Sequence, residues 1–221
     1  FTPKLGLVYQ PTKDMSLFAS YANSFTPNTG TTVDLKVIKP SLIDQYELGI
    51  KKDFWRGALS TNVTLYQIEN SNLAQTAEFK ADGSANTDSS IKTLSGSTKS
   101  KGVEVDITAR PTTGLSIIAG YSYNDMRYTK TSGLEGSFIV GDRLAKTPTN
   151  TANLSFFYTL QSGLLKGFSV GSSANYIGKR VGGWNNQYKA TEPNGIFDRG
   201  IPLEDYATVD VSAGYEWGKF S

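Results

Sequence analysis

The sequence lacks two residue types on which much protein chemistry depends. Its 221 residues include no cysteine, which excludes a disulfide scaffold, a thiolate zinc site and a cysteine nucleophile. They also include no histidine, the usual general base near neutral pH and the commonest metal ligand. An enzyme built on this chain would have to rely on carboxylates, lysine or tyrosine alone. We therefore predict no enzymatic activity, no catalytic residue, no cofactor and no metal site.

An excess of charge and long apolar runs are missing as well. Lys and Arg total 22 against 20 Asp and Glu, so nothing in the net charge of +2 favours a nucleic-acid partner. Mean hydropathy is -0.32, and no apolar stretch approaches the roughly 20 residues that a membrane-spanning helix needs. The chain has no initiator methionine or signal peptide and enters an alternating pattern at once. We expect it to be a piece of a larger protein.

Alternation of apolar and polar residues runs through almost the whole chain and predicts an all-β fold. Residues 46–51 (YELGIK), 103–110 and 209–217 each place their apolar residues on one face and their polar residues on the other. Such segments are typical of strands with one face in an apolar environment and one in water. The pattern predicts about nine strands, at residues 4–10, 15–25, 44–55, 58–71, 101–110, 115–129, 148–160, 168–181 and 205–217.

Short and long connections alternate between these segments. The short ones are tight turns rich in residues that preset or tolerate turn conformations, at residues 11–14, 56–57, 111–114 and 161–167. The long ones are polar, at residues 26–43, 72–100, 130–147 and 182–204. In an up-and-down meander, alternate connections lie at opposite ends of the sheet. Turns at one end and long loops at the other are typical of outer-membrane barrels.

A soluble β-sandwich also alternates, but its turn signals recur about every 8–12 residues. Several segments here reach the roughly 9–11 residues that cross a bilayer when tilted. Aromatic residues recur toward the ends of the apolar faces, as at a membrane interface; they are Tyr9, Tyr21, Tyr46, Phe54, Tyr121, Tyr123, Tyr158, Tyr176, Tyr215 and Trp217. The pattern favours an antiparallel up-and-down transmembrane β-barrel, in which charged residues of the polar faces, such as Glu104 and Asp106, would line the lumen.

Six strings, taken together, resemble TonB-dependent siderophore receptors of the ferrichrome type. PTKDMSLFASYANSFTP at residues 11–27 resembles the family's "PTK-x-x-SLYASYA-x-SF-x-P" stretch. The others follow in the family's order: KPS and YELGIK within residues 39–51, SKGVEVD at 100–106, GYSYND at 120–125, TPTN at 147–150 and LEDYATVD at 203–210. Ser41 stands where an acidic residue is usual, and residues 203–206 depart from the commoner LPGY.

The resemblance implies a barrel of about 22 strands around an N-terminal plug domain. Residues 1–221 would supply part of that barrel domain from its C-terminal half, roughly nine strands, without the plug and the remaining strands. The implied function is an outer-membrane receptor that binds and imports a ferric siderophore. Its implied partners are the TonB complex, acting through the plug, and outer-membrane lipid. An importer of cobalamin or an oligosaccharide and a soluble carbohydrate-binding module remain alternatives.

The long loops and the adjoining lumen wall hold the candidate ligand contacts. Aromatic rings and guanidinium groups suit an iron chelate through stacking and charge-assisted hydrogen bonds. The candidates are termed the rim residues: Trp184, Tyr188, Phe197, Arg180 and Arg143. Trp184 and Tyr188 suit an aromatic membrane belt equally well.

Two patterns resemble catalytic motifs. Ser89 and Lys92 have the spacing of a Ser-x-x-Lys nucleophile site, and Glu104 and Asp106 share a strand face as glycosidase carboxylates could. We interpret the first as incidental and the second as a polar lumen wall.

Overall fold

The computed structural model describes residues 2–77, 80–131, 140–184 and 200–216. Within these ranges the chain forms a nine-stranded sheet and a separate two-stranded sheet. The helical structure there consists of one 3-10 turn, Trp55–Gly57. No helix in the described ranges has the length and apolar character to cross a membrane. The prediction of an all-β fold is confirmed.

Strands that are neighbours in sequence are also neighbours in the large sheet. The strands are β1 (Lys4–Thr12), β2 (Met15–Thr26), β3 (Ser41–Phe54), β4 (Leu59–Thr76), β5 (Lys92–Ala109), β6 (Leu115–Lys130), β7 (Asn150–Thr159), β8 (Phe168–Ile177), β9 (Arg180–Trp184), β10 (Gly200–Leu203) and β11 (Tyr206–Tyr215). The large sheet runs from β1 to β8 in order and ends with β11, and every pairing is antiparallel. In the sequence, β9 and β10 lie between β8 and β11, and they pair with each other in the separate two-stranded sheet. The predicted meander is therefore present, with β1 and β11 at the edges of the described sheet.

The observed strands differ from the predicted ones mainly at the end with the long loops. β4 and β5 are each 18 residues long and include residues 72–76 and 92–100, which were predicted to be loop. These segments are mostly polar, and their few apolar residues, such as Leu73 and Leu94, form no alternating pattern. Cross-strand backbone pairing such as Gln75 with Thr93 extends the ladder. The hairpin of β9 and β10 also lies largely in the predicted loop at 182–204, because its glycines weaken the strand signal.

Cross-strand register gives the large sheet one apolar and one polar face. Residues directly opposite each other in an antiparallel pair project from the same face. Val105 is opposite Val63 and Tyr121, whereas its neighbour Asp106 is opposite Asn62. The alternation predicted along single strands is therefore in phase across the sheet.

The apolar face has no protein layer over it in the described ranges. Leu7 is 71% exposed, Leu48 58% and Val211 81%. The buried hydrophobic residues of these ranges are Ile38 and Ala77, both outside the regular strands. A β-sandwich would cover such a face with a second sheet, whereas in a membrane barrel lipid covers it. The sheet has the architecture of a membrane wall.

An ion pair ties the first short turn to β3. Asp14 Oδ2 lies 2.7 Å from Lys52 Nζ, and Thr12 Oγ1 donates to Asp14 Oδ1 at 2.6 Å. These hydrogen bonds, that from Lys52 first, lower the pKa of Asp14 to about 2. The carboxyl group of the turn is thus ionised at neutral pH.

Candidate functional site

Two rows of aromatic side chains border the apolar face. At the loop end, the rings of Tyr21 and Tyr46 lie 5.1 Å apart. The loop-end row consists of Tyr21, Tyr46, Tyr123 and Tyr176, and the turn-end row of Tyr9, Phe54, Tyr158 and Tyr215. Rings with an apolar body and a polar tip favour the two interfaces of a bilayer. The rows mark where the sheet enters and leaves the hydrocarbon layer.

The polar face is acidic, and neighbouring side chains orient its carboxylates. Ser20 Oγ donates to Glu47 Oε2 at 2.9 Å, and Asn62 Nδ2 donates to Asp106 Oδ2 at 3.2 Å. Glu104 projects from the same face as Asp106, two residues away. None of these three carboxylates forms an ion pair within the described part of the chain. This wall can therefore attract cationic or hydrogen-bond-donating groups.

A shallow cavity of about 480 Å³ opens on the polar face. Its lining includes Glu104 and Asp106 of β5, Ser122 of β6, Asn153 of β7 and Asn175 of β8. The cavity thus crosses four adjacent strands and is lined by carboxylate, hydroxyl and amide groups. These groups suit contact with a polar surface or solute passing along the wall.

The Ser-x-x-Lys spacing of Ser89 and Lys92 does not form a nucleophile site. Lys92 Nζ donates to Thr76 Oγ1 at 3.3 Å, and Lys92 begins a strand rather than the helix that the motif requires. The interpretation of this motif as incidental agrees with its place in the fold.

Two of the long connections are joined to each other at the loop end. The backbone N–H of Thr31 donates to Ser90 O at 2.9 Å, and the N–H of Lys92 donates to Thr31 O at 2.7 Å. These bonds link residues 27–40 with residues 77–91 as if they were parts of one small sheet. The two connections therefore form a single surface at this end of the sheet.

Arg180, one of the rim residues, is positioned by aromatic and backbone groups. Its guanidinium carbon lies 5.3 Å from the centroid of the Tyr206 ring, and its Nη1 donates to Glu204 O at 3.4 Å. Trp184 is the last residue of β9. Tyr188 and Phe197 lie outside the described residues. The ring of Tyr206 and the start of β9 thus determine where the Arg180 guanidinium lies.

Arg143 belongs to a group of charged residues at the loop end. Its Nη2 lies 3.2 Å from Asp125 Oδ1, and its Nη1 donates to Thr149 Oγ1. The N–H of Lys146 donates to Val181 O at 2.6 Å, which places the segment of Arg143 beside β9. The structure therefore brings the segments that carry Arg143 and Arg180 together. As ligand contacts, all five rim residues stay a prediction.

Sequence reasoning missed the other charged residues of this group. Lys99 Nζ lies 2.7 Å from Glu69 Oε1, and Arg127 Nε lies 2.9 Å from Asp125 Oδ1. The alternation along the strand could have indicated them. Residues 99 and 101 lie an even number of positions before Val103, so they project from the same face of the strand, beyond its apolar segment.

Comparison with known proteins agrees with this architecture. The profile of the family described as TonB dependent receptor-like, beta-barrel, matches residues 1–221. The metal-pseudopaline receptor CntO of Pseudomonas aeruginosa is 30% identical over 214 residues, which are 97% of this chain and 27% of that protein. The ferrioxamine B receptor of Salmonella typhimurium is 27% identical over 216 residues, 96% of this chain and 27% of that protein.

The solved structure of the Pseudomonas aeruginosa outer-membrane ferripyoverdine receptor, bound to ferripyoverdine, superimposes with a TM-score of 0.73. The two sequences are 25% identical, and the match covers 97% of this chain and 27% of that one. This chain thus spans about a quarter of the length of these proteins. The resemblance found in the sequence is confirmed, and the soluble module is no longer a viable alternative. The chain belongs to the TonB-dependent receptor family, and its nine-stranded sheet is part of a β-barrel of the bacterial outer membrane.

Proposed function

We propose that the complete protein binds a ferric siderophore outside the cell and imports it across the outer membrane. The observation that carries this proposal is the ligand class in the names of the similar proteins: metal-pseudopaline, ferrioxamine B and ferripyoverdine. All three names describe receptors for a metal carried by an organic molecule, and the last two specify iron. This chain supplies a matching part of the barrel wall in each comparison.

The two faces of the sheet support transport along the barrel. The apolar face, bordered by aromatic rows, meets lipid, and the acidic face with Glu47, Glu104 and Asp106 lines the lumen. The cargo passes unchanged, so the proposed mechanism makes and breaks no bond. The complete lack of histidine in this chain is consistent with a wall that carries no acid–base chemistry.

Residues 1–221 are, in this proposal, one part of the barrel domain. The remaining strands and a plug domain belong to the rest of the protein, and the TonB complex acts on the plug to open a path. Nine strands are far fewer than the about 22 of such transporters, which supports the division. Loops at one end of the sheet capture the chelate before the plug moves.

The rim residues are the proposed contacts for the chelate. Arg143 and Arg180 lie in segments that share a hydrogen bond, and Trp184 ends the strand that Arg180 begins. Guanidinium groups match carboxylate, hydroxamate or catecholate oxygens, and aromatic rings stack on planar chelating groups. The proposed site is therefore a mixed cationic and aromatic surface at the outer rim.

Uptake measurements in the source bacterium test the function. Deletion of the complete gene should abolish uptake of radiolabelled iron from at least one siderophore in a panel of hydroxamates and catecholates, and the plasmid-borne gene should restore it. A strain without TonB is the control for energy coupling and should show the same loss.

Three outcomes would contradict the proposal. Intact uptake of every ferric siderophore with loss of cobalamin or oligosaccharide uptake would assign the protein to another importer class. Loss of uptake for nickel-loaded but not iron-loaded chelators would show that the metal is not iron. Unchanged uptake in the strain without TonB would refute the coupling.

A further inference from the structure

At the loop end, β4 and β5 extend beyond the strands on either side of them. β3 pairs with β4 as far as Ser71, and β6 pairs with β5 as far as Ser97. β4 and β5 stay paired beyond both points, and the ribbon that they form there comprises residues 72–76 and 92–96. It extends roughly 16 Å above the sheet. A two-stranded ribbon is only marginally stable in water, so this one needs support from another part of the chain.

The ribbon joins the sheet at an irregular stretch of β4. The pairing of β4 with β5 shifts register between Asn70 and Leu73, and again between Leu73 and Ala74. Asn72 lies within this stretch and has a φ of 59°, in the left-handed region that residues other than glycine rarely adopt. Such register shifts bend a strand and interrupt its ladder. The pairing of β4 with β5 therefore does not by itself fix the direction of the ribbon.

Residues 27–40, termed the strap, connect β2 to β3 and contact the base of the ribbon. Asn28 Nδ2, near the start of the strap, donates to Asn72 O at 3.1 Å. Ser41 Oγ, directly after its end, donates to the same oxygen at 3.1 Å, and Asn72 Nδ2 donates to Pro40 O at 3.3 Å. The side chain of Ser41 is buried. Both ends of the strap are thus hydrogen-bonded to the left-handed residue at the base of the ribbon.

The strap also contacts the far end of the ribbon. The N–H of Lys92, the first residue of β5, donates to Thr31 O at 2.7 Å, and the N–H of Thr31 donates to Ser90 O at 2.9 Å. The buried hydrophobic residues of the described ranges are Ile38, which belongs to the strap, and Ala77, which directly follows the ribbon in β4. One segment therefore holds the ribbon at its base and at its tip.

The contact at the tip depends on glycine at position 30. Gly30 directly precedes Thr31 and has a φ of 103°, which glycine adopts freely and other residues adopt only under strain. A Cβ added at this position would collide with Ser90 O. A side chain there would push the strap away from the tip of the ribbon.

We infer that residues 27–40 act as a strap that fixes the direction of the ribbon, so that strap and ribbon form one rigid body. The contacts that hold this body together all come from the chain itself. It therefore keeps its shape without bound cargo, and the inference does not depend on the proposed function. Release of the strap leaves the ribbon free to bend at the irregular stretch around Asn72.

Hydrogen–deuterium exchange of the full-length receptor in detergent, without cargo, tests this inference. The variant Gly30→Ala separates the strap from Ser90 O. Peptides that cover residues 72–77 and 91–97 should then exchange about two- to tenfold faster, as expected for the loss of one backbone hydrogen bond. The control is Gly141→Ala, because Gly141 has a φ of 94° but a Cβ added there would meet no atom within 4 Å. This control should leave the exchange of the ribbon at the wild-type rate.

Three outcomes would overturn the inference. Faster exchange of the strap alone, with the ribbon unchanged, would show that the two are separate bodies. An equal rise in β7, which lies in another part of the sheet, would show that the strap stabilises the whole barrel rather than the ribbon. Ribbon amides that exchange in the wild type as fast as those of an unfolded peptide would show that the strap does not hold the ribbon.

A second variant keeps the inference testable if Gly30→Ala does not fold. Asn28→Ala adds no atom and removes the hydrogen bond from Nδ2 to Asn72 O, so the exchange of the ribbon should rise by about the same factor. Its matched control is Thr32→Ala, which removes the hydrogen bond from the Lys36 N–H to Thr32 Oγ1 within the strap and should leave the ribbon unchanged. Equal exchange of the ribbon in these two variants would refute the role of the strap.

Discussion

Arginine substitutions along β5 should reveal how deep each lipid-facing residue lies in the membrane. Ile107 is opposite Ala119, which lies midway between Tyr123 in the loop-end row and Leu115, itself opposite Tyr158 in the turn-end row. Ile107 therefore lies at the middle of the apolar band.

The expected cost follows from this depth. Arginine on the lipid face of a barrel costs about 2–4 kcal/mol at the bilayer midplane and about 0–1 kcal/mol near the interface. Ile107→Arg should thus lower the free energy of unfolding by about 2–4 kcal/mol. Val103→Arg, level with Tyr123, should cost about 0–1 kcal/mol, and Val105→Arg an intermediate amount. Val211, opposite the midpoint Ser172 of β8, should behave like Ile107.

Equilibrium unfolding of the full-length receptor in phospholipid vesicles with guanidinium chloride measures these differences. The matched controls are Thr108→Arg, Asp106→Arg and Ser212→Arg, which place the same charge on the polar face next to the lipid-facing sites. Thr108→Arg and Ser212→Arg should change stability by less than about 0.5 kcal/mol. Equal losses at Ile107 and Thr108, or a cost that does not fall toward Val103, would refute the lipid-facing assignment.

Three further predictions address packing, pH dependence and ligand binding. Gly49→Ala should destabilise the full-length barrel by about 1–3 kcal/mol, because the added Cβ would meet the Phe18 ring. Gly6→Ala is the control and should leave stability unchanged, because no atom lies within 4 Å of a Cβ added there. Equal unfolding midpoints of the two variants would contradict this packing. The ion pair with Lys52 lowers the folded-state pKa of Asp14 to about 2. The contribution of this pair to stability is therefore present above a pH of about 4 and is lost as the pH falls through 2. Asp14→Asn should flatten the pH dependence of unfolding in that window, and an unchanged pH profile would show that the pair contributes nothing. Alanine in place of each aromatic rim residue should weaken ferric-siderophore binding to the detergent-solubilised receptor by about 1–3 kcal/mol, and unchanged affinity in all three folded variants would move the site to other loops or to the plug.

Most of the large sheet could be predicted from the sequence because lipid and water impose a strict period of two on a membrane strand. Val105 and Asp106 are adjacent in sequence yet belong to opposite environments, and this contrast recurs along every membrane segment. The tight turns are equally local, since Gly and Pro specify them within a few residues. Strand order then followed from the alternation of short and long connections.

The candidate site could be predicted only by residue type. The rim residues were chosen for their aromatic rings and guanidinium groups, since a loop carries no periodicity that would give direction to its side chains. The pairing of Arg143 with Asp125, and the place of Arg180 beside Tyr206, depend on which strands lie next to each other. The hairpin of β9 and β10 also escaped prediction, because its glycines have low strand propensity.

The sequence by itself determined the all-β class, the phase of the membrane strands and the end of the sheet at which the loops lie, because each depends on solvent periodicity or on local turn chemistry. Only the tertiary structure decided how far β4 and β5 extend beyond the membrane, since polar residues there leave strand length to cross-strand backbone pairing. It alone placed Lys99 beside Glu69 and Asp125 beside Arg143, because register brings residues far apart in sequence within a few ångströms.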